Sequence, residues 1–271
     1  MNRILHRLFV LALLMAPLTH AAQEDDLAYY LPPHEVVWLG TNENTEESSE
    51  TRYLMLYKEG ETSFSRGVAL TLPNWGTHPL QQTYPALLYR QLPFYGWESF
   101  ALHAPTRSLL NFNWDQENQT PYPDPVSAEA LGELKDLLLA RVQLAFEHIG
   151  EAQGFRLIIA EGLTAALLVD LIEAGEIARA DALILISPYY PQWQLNRELS
   201  EKIAQLRIPV LDIQQQDAIH WSVEEAARRQ QQARKFQHTG YRQRTLNRAS
   251  NRQNHALIEQ IIYGWLNYEG F

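Results

Sequence analysis

The sequence contains no cysteine. That excludes disulfides, cysteine-ligated metal sites and a lipid anchor attached to a cysteine at a signal cleavage site. Histidine pairs at H-x-x-x-H spacing are missing, and so is a glycine-rich G-x-G-x-x-G phosphate loop. No metal and no cofactor are therefore expected. Long apolar runs are scarce. Only Leu8–Leu18 is uncharged and apolar throughout, and it is short of the ~20 residues a helix needs to cross a ~30 Å hydrocarbon core. Positive charge is also in short supply, with 22 Lys and Arg against 32 Asp and Glu, a formal charge of −10. That balance argues against a general nucleic-acid binder.

What is present begins with an export signal. Arg3 and Arg7 precede the apolar run, and Thr19-His20-Ala21-Ala22 supplies small residues for a peptidase. Residues 1–22 are expected to be removed after Ala21 or Ala22, leaving a periplasmic chain with no integral membrane span. Loss of Arg3 and Arg7 leaves 20 bases against 32 acids, a formal charge of −12. Residues 23–33 read as an exposed leader ending in Pro32-Pro33, and residues 34–271 as a single domain.

Charge is unevenly spread. Residues 23–63 hold ten acids against Arg52 and Lys58, and residues 228–252 hold eight bases and no acid. Two solvated faces attracting each other within the fold would explain this, and so would a basic patch for an anionic envelope partner.

Strands are expected at 34–39, 53–57, 67–73, 97–102, 155–160, 182–186, 209–213 and 241–246. Residues 67–73 form a nearly continuous apolar run, as suits a strand covered on both faces. Helices are expected over 79–95 (interrupted by Pro85 and Pro93), 128–149 after a Ser127 cap, 163–173, 193–206, 223–236 and 255–268. In the second of these, Leu131, Leu134, Leu138, Val142, Ala145 and Phe146 form one apolar stripe. Residues 106–126, rich in Asn, Pro and aromatics, read as a lid-like loop. Strand–helix alternation after two antiparallel-type strands predicts a mostly parallel central sheet with helices on both faces, a three-layer αβα architecture.

The order of elements resembles the α/β-hydrolase fold. There, a strand enters a sharp G-x-S-x-G turn that lifts a serine above the sheet, with a helix N-terminus behind it. The matching segment is Ala160-Glu161-Gly162-Leu163-Thr164. Gly162 stands at the nucleophile position, so the turn is kept while an acyl-enzyme is impossible. A shifted register with Thr164 at the turn would bury the hydroxyl inside the helix. By the same resemblance Asp217, in the loop past strand 209–213, matches the acid better than Asp212 does. His255 matches the base, with His220 and His238 weaker. The oxyanion loop corresponds to Pro73-Asn74-Trp75-Gly76-Thr77-His78-Pro79. Trp75, Gly76, His78, Glu161 and Leu163 are expected to line a ligand pocket, although Trp75, Gly76 and His78 also read as a packed turn.

The strand at 67–73 followed by His78-Pro79, the Tyr95-Gly96-Trp97 strand entry, the glycine elbow, Ile208-Pro209-Val210-Leu211-Asp212-Ile213, Tyr241-Arg242-Gln243 and Gly264-Trp265-Leu266 are together similar to domain of unknown function family 3530 (DUF3530). The resemblance implies an exported proteobacterial protein of the α/β-hydrolase superfamily, and it supplies no reaction. Three functions follow as expectations. The first is a non-hydrolytic periplasmic factor, a pseudoenzyme, binding a small molecule or an envelope component. The second is a hydrolase of ester or acyl bonds working without serine, through water activated by His255 and Asp217. The third is an interaction module that meets an anionic partner through residues 228–252.

Overall fold

A computed structural model describes residues 18–40, 52–106, 128–150, 153–177, 180–247 and 251–271. Residues 1–17, most of the expected export signal at 1–22, and nearly all of the expected lid-like loop at 106–126 lie outside these residues. The strands are β1 (Val36–Leu39), β2 (Tyr53–Lys58), β3 (Gly67–Leu72), β4 (Trp97–Leu102), β5 (Phe155–Glu161), β6 (Ala182–Ile186), β7 (Val210–Gln215) and β8 (Tyr241–Leu246). The helices are α1 (Leu18–Tyr29), α2 (Tyr84–Gln91), α3 (Ala128–Ile149), α4 (Gly162–Glu173), α5 (Trp193–Gln205), α6 (His220–Lys235) and α7 (Asn251–Glu269).

β3 and β6 are buried at every position, and their side chains part by the period of two that a strand imposes. Val68, Leu70, Leu72, Leu183 and Leu185 join the core under α3, α4 and α5. Ala69, Ala182, Ile184 and Ile186 join the core under α2 and α7. One eight-stranded sheet results, in the order β1-β2-β4-β3-β5-β6-β7-β8. β1–β2 and β2–β4 are antiparallel and the remaining pairs parallel. This is the predicted three-layer architecture. β5 lies centrally, so its C-terminal end opens onto the middle of one sheet edge, where ligands of open α/β sheets bind.

Four expectations change. Residues 79–95 are not one helix: α2 starts only at Tyr84, and Leu92–Tyr95 tightens into a 3₁₀ turn as Pro93 withholds its N–H. α6 starts at His220 and α7 at Asn251, each earlier than its apolar periodicity suggests. Residues 23–33 are not simply an exposed leader. Tyr29 and Tyr30 are exposed, but Glu24 is buried, and Leu27, Ala28 and Leu31 pack on Leu54 and Leu56. Finally, among the described residues, no ion pair joins the acidic and basic segments. β1 and β2 sit at one edge of the sheet and β8 at the other.

Candidate functional site

At the end of β5 the chain turns directly into α4, and Gly162 holds the turn with φ +62°. Glycine adopts that left-handed conformation without steric cost. The first N–H groups of α4 need acceptors, and Glu161, its N-cap residue, makes no side-chain cap. The acceptor comes from the loop after β3. Asn74 Oδ1 accepts from Leu163 N at 2.9 Å and from Trp75 N at 2.9 Å. These two donors, the N–H after the nucleophile position and an N–H of the β3 loop, are the pair that binds the oxyanion in this type of site. Here the chain's own amide oxygen sits between them.

Asn74 also fills the space above the turn. A Cβ built on Gly162 would lie 2.3 Å from Asn74 Oδ1 and 2.5 Å from Asn74 Cγ. The nucleophile position is thus without a side chain and covered by a neighbour. Thr77 Oγ1 donates to Asn74 O at 2.6 Å, and Gly76 N donates to Pro105 O at 3.0 Å, so the loop that carries Asn74 is itself held.

Polar groups surround this plug. Tyr189 N donates to Gly162 O at 3.4 Å. Burial pushes the Tyr189 phenol up, the Asn74 amide beside it opposes the shift, and Glu161 adds to it. Burial likewise raises the Tyr84 phenol, against the Asn254 amide, with Asp217 and Glu161 adding to the rise. Burial holds the Glu161 carboxyl up at about 7, partly offset by Gln215, and its Oε2 lacks a hydrogen-bond partner. Glu161 is therefore largely protonated in mildly acidic solution, a donor rather than a fixed anion.

The expected site residues fare differently. The Leu163 N–H meets the plug and Glu161 acts on Tyr189 beside it, while the Leu163 side chain is buried in the core, as is Trp75. His78 Nδ1 accepts from Leu80 N at 3.3 Å and serves its own turn. Asp217 and His255 are both exposed. His255 meets the Tyr84 ring at a centroid distance of 6.2 Å, and Asp217 acts on the same tyrosine, so both border one rim. No hydrogen bond joins them among the described residues. Asp212 is committed elsewhere: fully buried, it takes Arg229 at 2.7 Å, the Tyr241 hydroxyl at 2.6 Å and Gln243 at 2.9 Å. His238 Nε2 lies 3.0 Å from Ile208 O, and His220 stacks on Trp221. Thr164 is buried within α4.

A family model described as "Protein of unknown function (DUF3530)" matches residues 12–268. The chain belongs to this family. No match was found among the curated proteins. Among solved structures, this DUF3530 member is similar to an esterase from Pyrococcus furiosus, at 11% identity over 86% of this chain and 90% of that one, with a TM-score of 0.56. Est1E from Butyrivibrio proteoclasticus is similar at 8% identity, 86% and 99% coverage and a TM-score of 0.54. An α/β serine hydrolase homologue from Coxiella burnetii is similar at 10% identity, 86% and 97% coverage and a TM-score of 0.52. At such identities the likeness establishes the fold, and the fold is the α/β-hydrolase fold.

Sequence reasoning missed Asn74, Tyr84, Tyr189 and Gln215. Asn74 carried a readable signal. A glycine elbow leaves a hole above the turn, and the short amide in the facing loop is suited to fill it and cap α4. Tyr84, at the start of α2, and Tyr189, in the segment between β6 and α5, come from distant parts of the chain and carried none.

Proposed function

We propose that this DUF3530 member is exported to the periplasm and works there as a non-hydrolytic, envelope-associated binding factor built on a hydrolase fold. One observation carries the reading: Asn74 Oδ1 already occupies the two N–H groups that would stabilise an oxyanion, above a turn with no nucleophile. A substrate carbonyl has neither an attacking side chain at residue 162 nor a free pair of donors. The separation of His255 from Asp217 supports the same conclusion, since an activated water needs a base held by an orienting partner.

Export is supported by the charged start and the short apolar run. Glu24, just past the proposed cleavage positions, bonds Arg141 of the folded domain, a contact that cleavage there would leave in place.

The test is ester turnover by the purified mature domain. p-Nitrophenyl acetate and butyrate should be hydrolysed no faster than in buffer carrying the same imidazole concentration. Turnover lost on His255→Ala would instead establish the non-serine hydrolase.

A further inference from the structure

The basic segment is divided by the fold. Arg229 is buried with Asp212, and Arg228 pairs with Glu201 and Glu225. Of the others, Arg234, Arg242 and Arg244 lie at the β8 edge, where three adjoining grooves share Arg242. A groove of about 690 Å³ runs past Arg207, His238, Arg242 and Glu269. One of about 590 Å³ lies between β8 and α7, with Arg242, Arg244, Trp265 and Tyr268. A third, of about 410 Å³, takes in Arg234, Arg242 and Arg244 on the α6 side. Among the described residues, Arg207, Arg234, Arg242 and Arg244 face no carboxylate at ion-pair distance, and Glu269 is the one acid lining these grooves.

The edge also offers backbone. Val210 N donates to Gly240 O and Gln216 N to Leu246 O, both at 3.1 Å, so even-numbered residues of β8 turn toward β7. Gln243 and Thr245 therefore turn their main-chain groups to the free edge. Arg244 Nη1 covers the Gln243 carbonyl at 3.2 Å. An extended chain carrying carboxylates fits both features, since it can pair with the edge and neutralise the arginines.

This chain contains such a segment. Residues 42–50 hold Glu43, Glu46, Glu47 and Glu50 and no base. They join β1 to β2 at the opposite edge of the sheet. Eight strands put seven spacings between the edges, or about 34 Å at ~4.8 Å per spacing. A connection of residues 41–51, returning to a neighbouring strand, reaches at most about 20 Å from its base, and so cannot reach β8 of its own chain. We propose that the β8 edge docks the acidic 42–50 segment of a second copy, giving head-to-tail association held mainly by charge.

Sedimentation velocity tests this directly. Wild-type mature protein should form concentration-dependent oligomers at ~20 mM salt that dissociate by ~300 mM, as screening of exposed charges requires. Arg242→Glu/Arg244→Glu removes the basic end, and Glu→Gln at 43, 46, 47 and 50 removes the acidic end. Each variant alone should stay monomeric with an unchanged circular dichroism spectrum. Mixed, they should form one 1:1 dimer that cannot grow, because a single complementary pair of ends remains. Should Arg242→Glu/Arg244→Glu misfold, Arg244→Glu, whose side chain bonds only a neighbouring carbonyl, should still weaken association at least three-fold. A wild-type monomer at ~100 µM in low salt would overturn the proposal, as would association unchanged in the arginine variants. Polyphosphate binding by a monomeric wild type would also overturn it and reassign the edge to a soluble polyanion.

Discussion

Asn74 and Gly162 share one small volume, so substitutions there should be coupled. Gly162→Ala imposes a left-handed φ on an L-residue and drives its Cβ into Asn74, and a cost of about 2–4 kcal/mol is expected. Asn74→Ala removes the acceptor shared by the Leu163 and Trp75 N–H groups, at about 1–3 kcal/mol. The double variant should be less destabilised than the sum by about 1 kcal/mol or more, read from urea midpoints in a double-mutant cycle, because the collision is gone. Glu161 gives a pH prediction at the same scale. Its folded carboxyl is held up at about 7 against an ordinary 4.5. The native state therefore keeps a proton that the unfolded chain has given up, and stability should fall as pH rises from about 4.5 to 7, then level off. Allowing for its partial contact with solvent, the loss is on the order of 2 kcal/mol. Glu161→Gln should flatten that part of the profile and leave the protein more stable at pH 8; an unchanged profile would place the titration elsewhere. The sequence made Gly162 legible because a single residue at a known junction decides it. It could not reveal what covers Gly162, because Asn74 arrives from a loop 88 positions earlier and a side chain's aim is not written in its own neighbourhood.

Elements were the most readable level. All eight strands stand close to their expected positions; for β3 and β6, buried at every position, the reason is that a strand covered on two faces leaves little choice of residue. Boundaries slipped where periodicity was a poor guide. α6 is largely polar and begins at exposed His220, and α2 waits until Thr83-Tyr84-Pro85, where a proline is tolerated in the first turn. The exposed-leader expectation for residues 23–33 fails most clearly at Glu24, a buried acid of a residue type that ordinarily marks solvent-facing chain. Glu24 accepts from Leu54 N and from Arg141 at 3.0 Å, and lies 3.6 Å from His103. Arg141 also lies over the Tyr53 ring at 4.1 Å. Glu24→Gln should cost about 3 kcal/mol in urea unfolding, because it leaves Arg141 buried without a counter-charge. Asp25→Asn, which removes only the half-exposed pair with Arg52, should cost about 1 kcal/mol or less. Equal costs for the two would mean that α1 is held by its apolar contacts alone. Burial also holds the His103 imidazole below its ordinary value, with Glu24 opposing. Here the sign is the reverse of Glu161: stability is fully present above the unfolded value of 6.5 and is lost as pH falls toward the folded one.

At the scale of the whole molecule, fold class and family were legible in the sequence because the order of many weak signals survives even where each one alone is ambiguous. Destination and activity are separate matters, and each has its own test. The full-length chain should fractionate with the periplasm and lose its first 21 or 22 residues; a chain lacking residues 2–22 should stay in the cytoplasm, and equal distribution of both would remove the export reading. Asn74 seals an elbow whose nucleophile position holds only glycine. Fluorophosphonate labelling of the mature wild-type protein, read by intact mass across pH 6 to 9, tests it most directly. No adduct should form under conditions that label a serine hydrolase to completion. A single stoichiometric adduct, abolished by His255→Ala, would contradict the account and show that a nucleophile is at work in this fold.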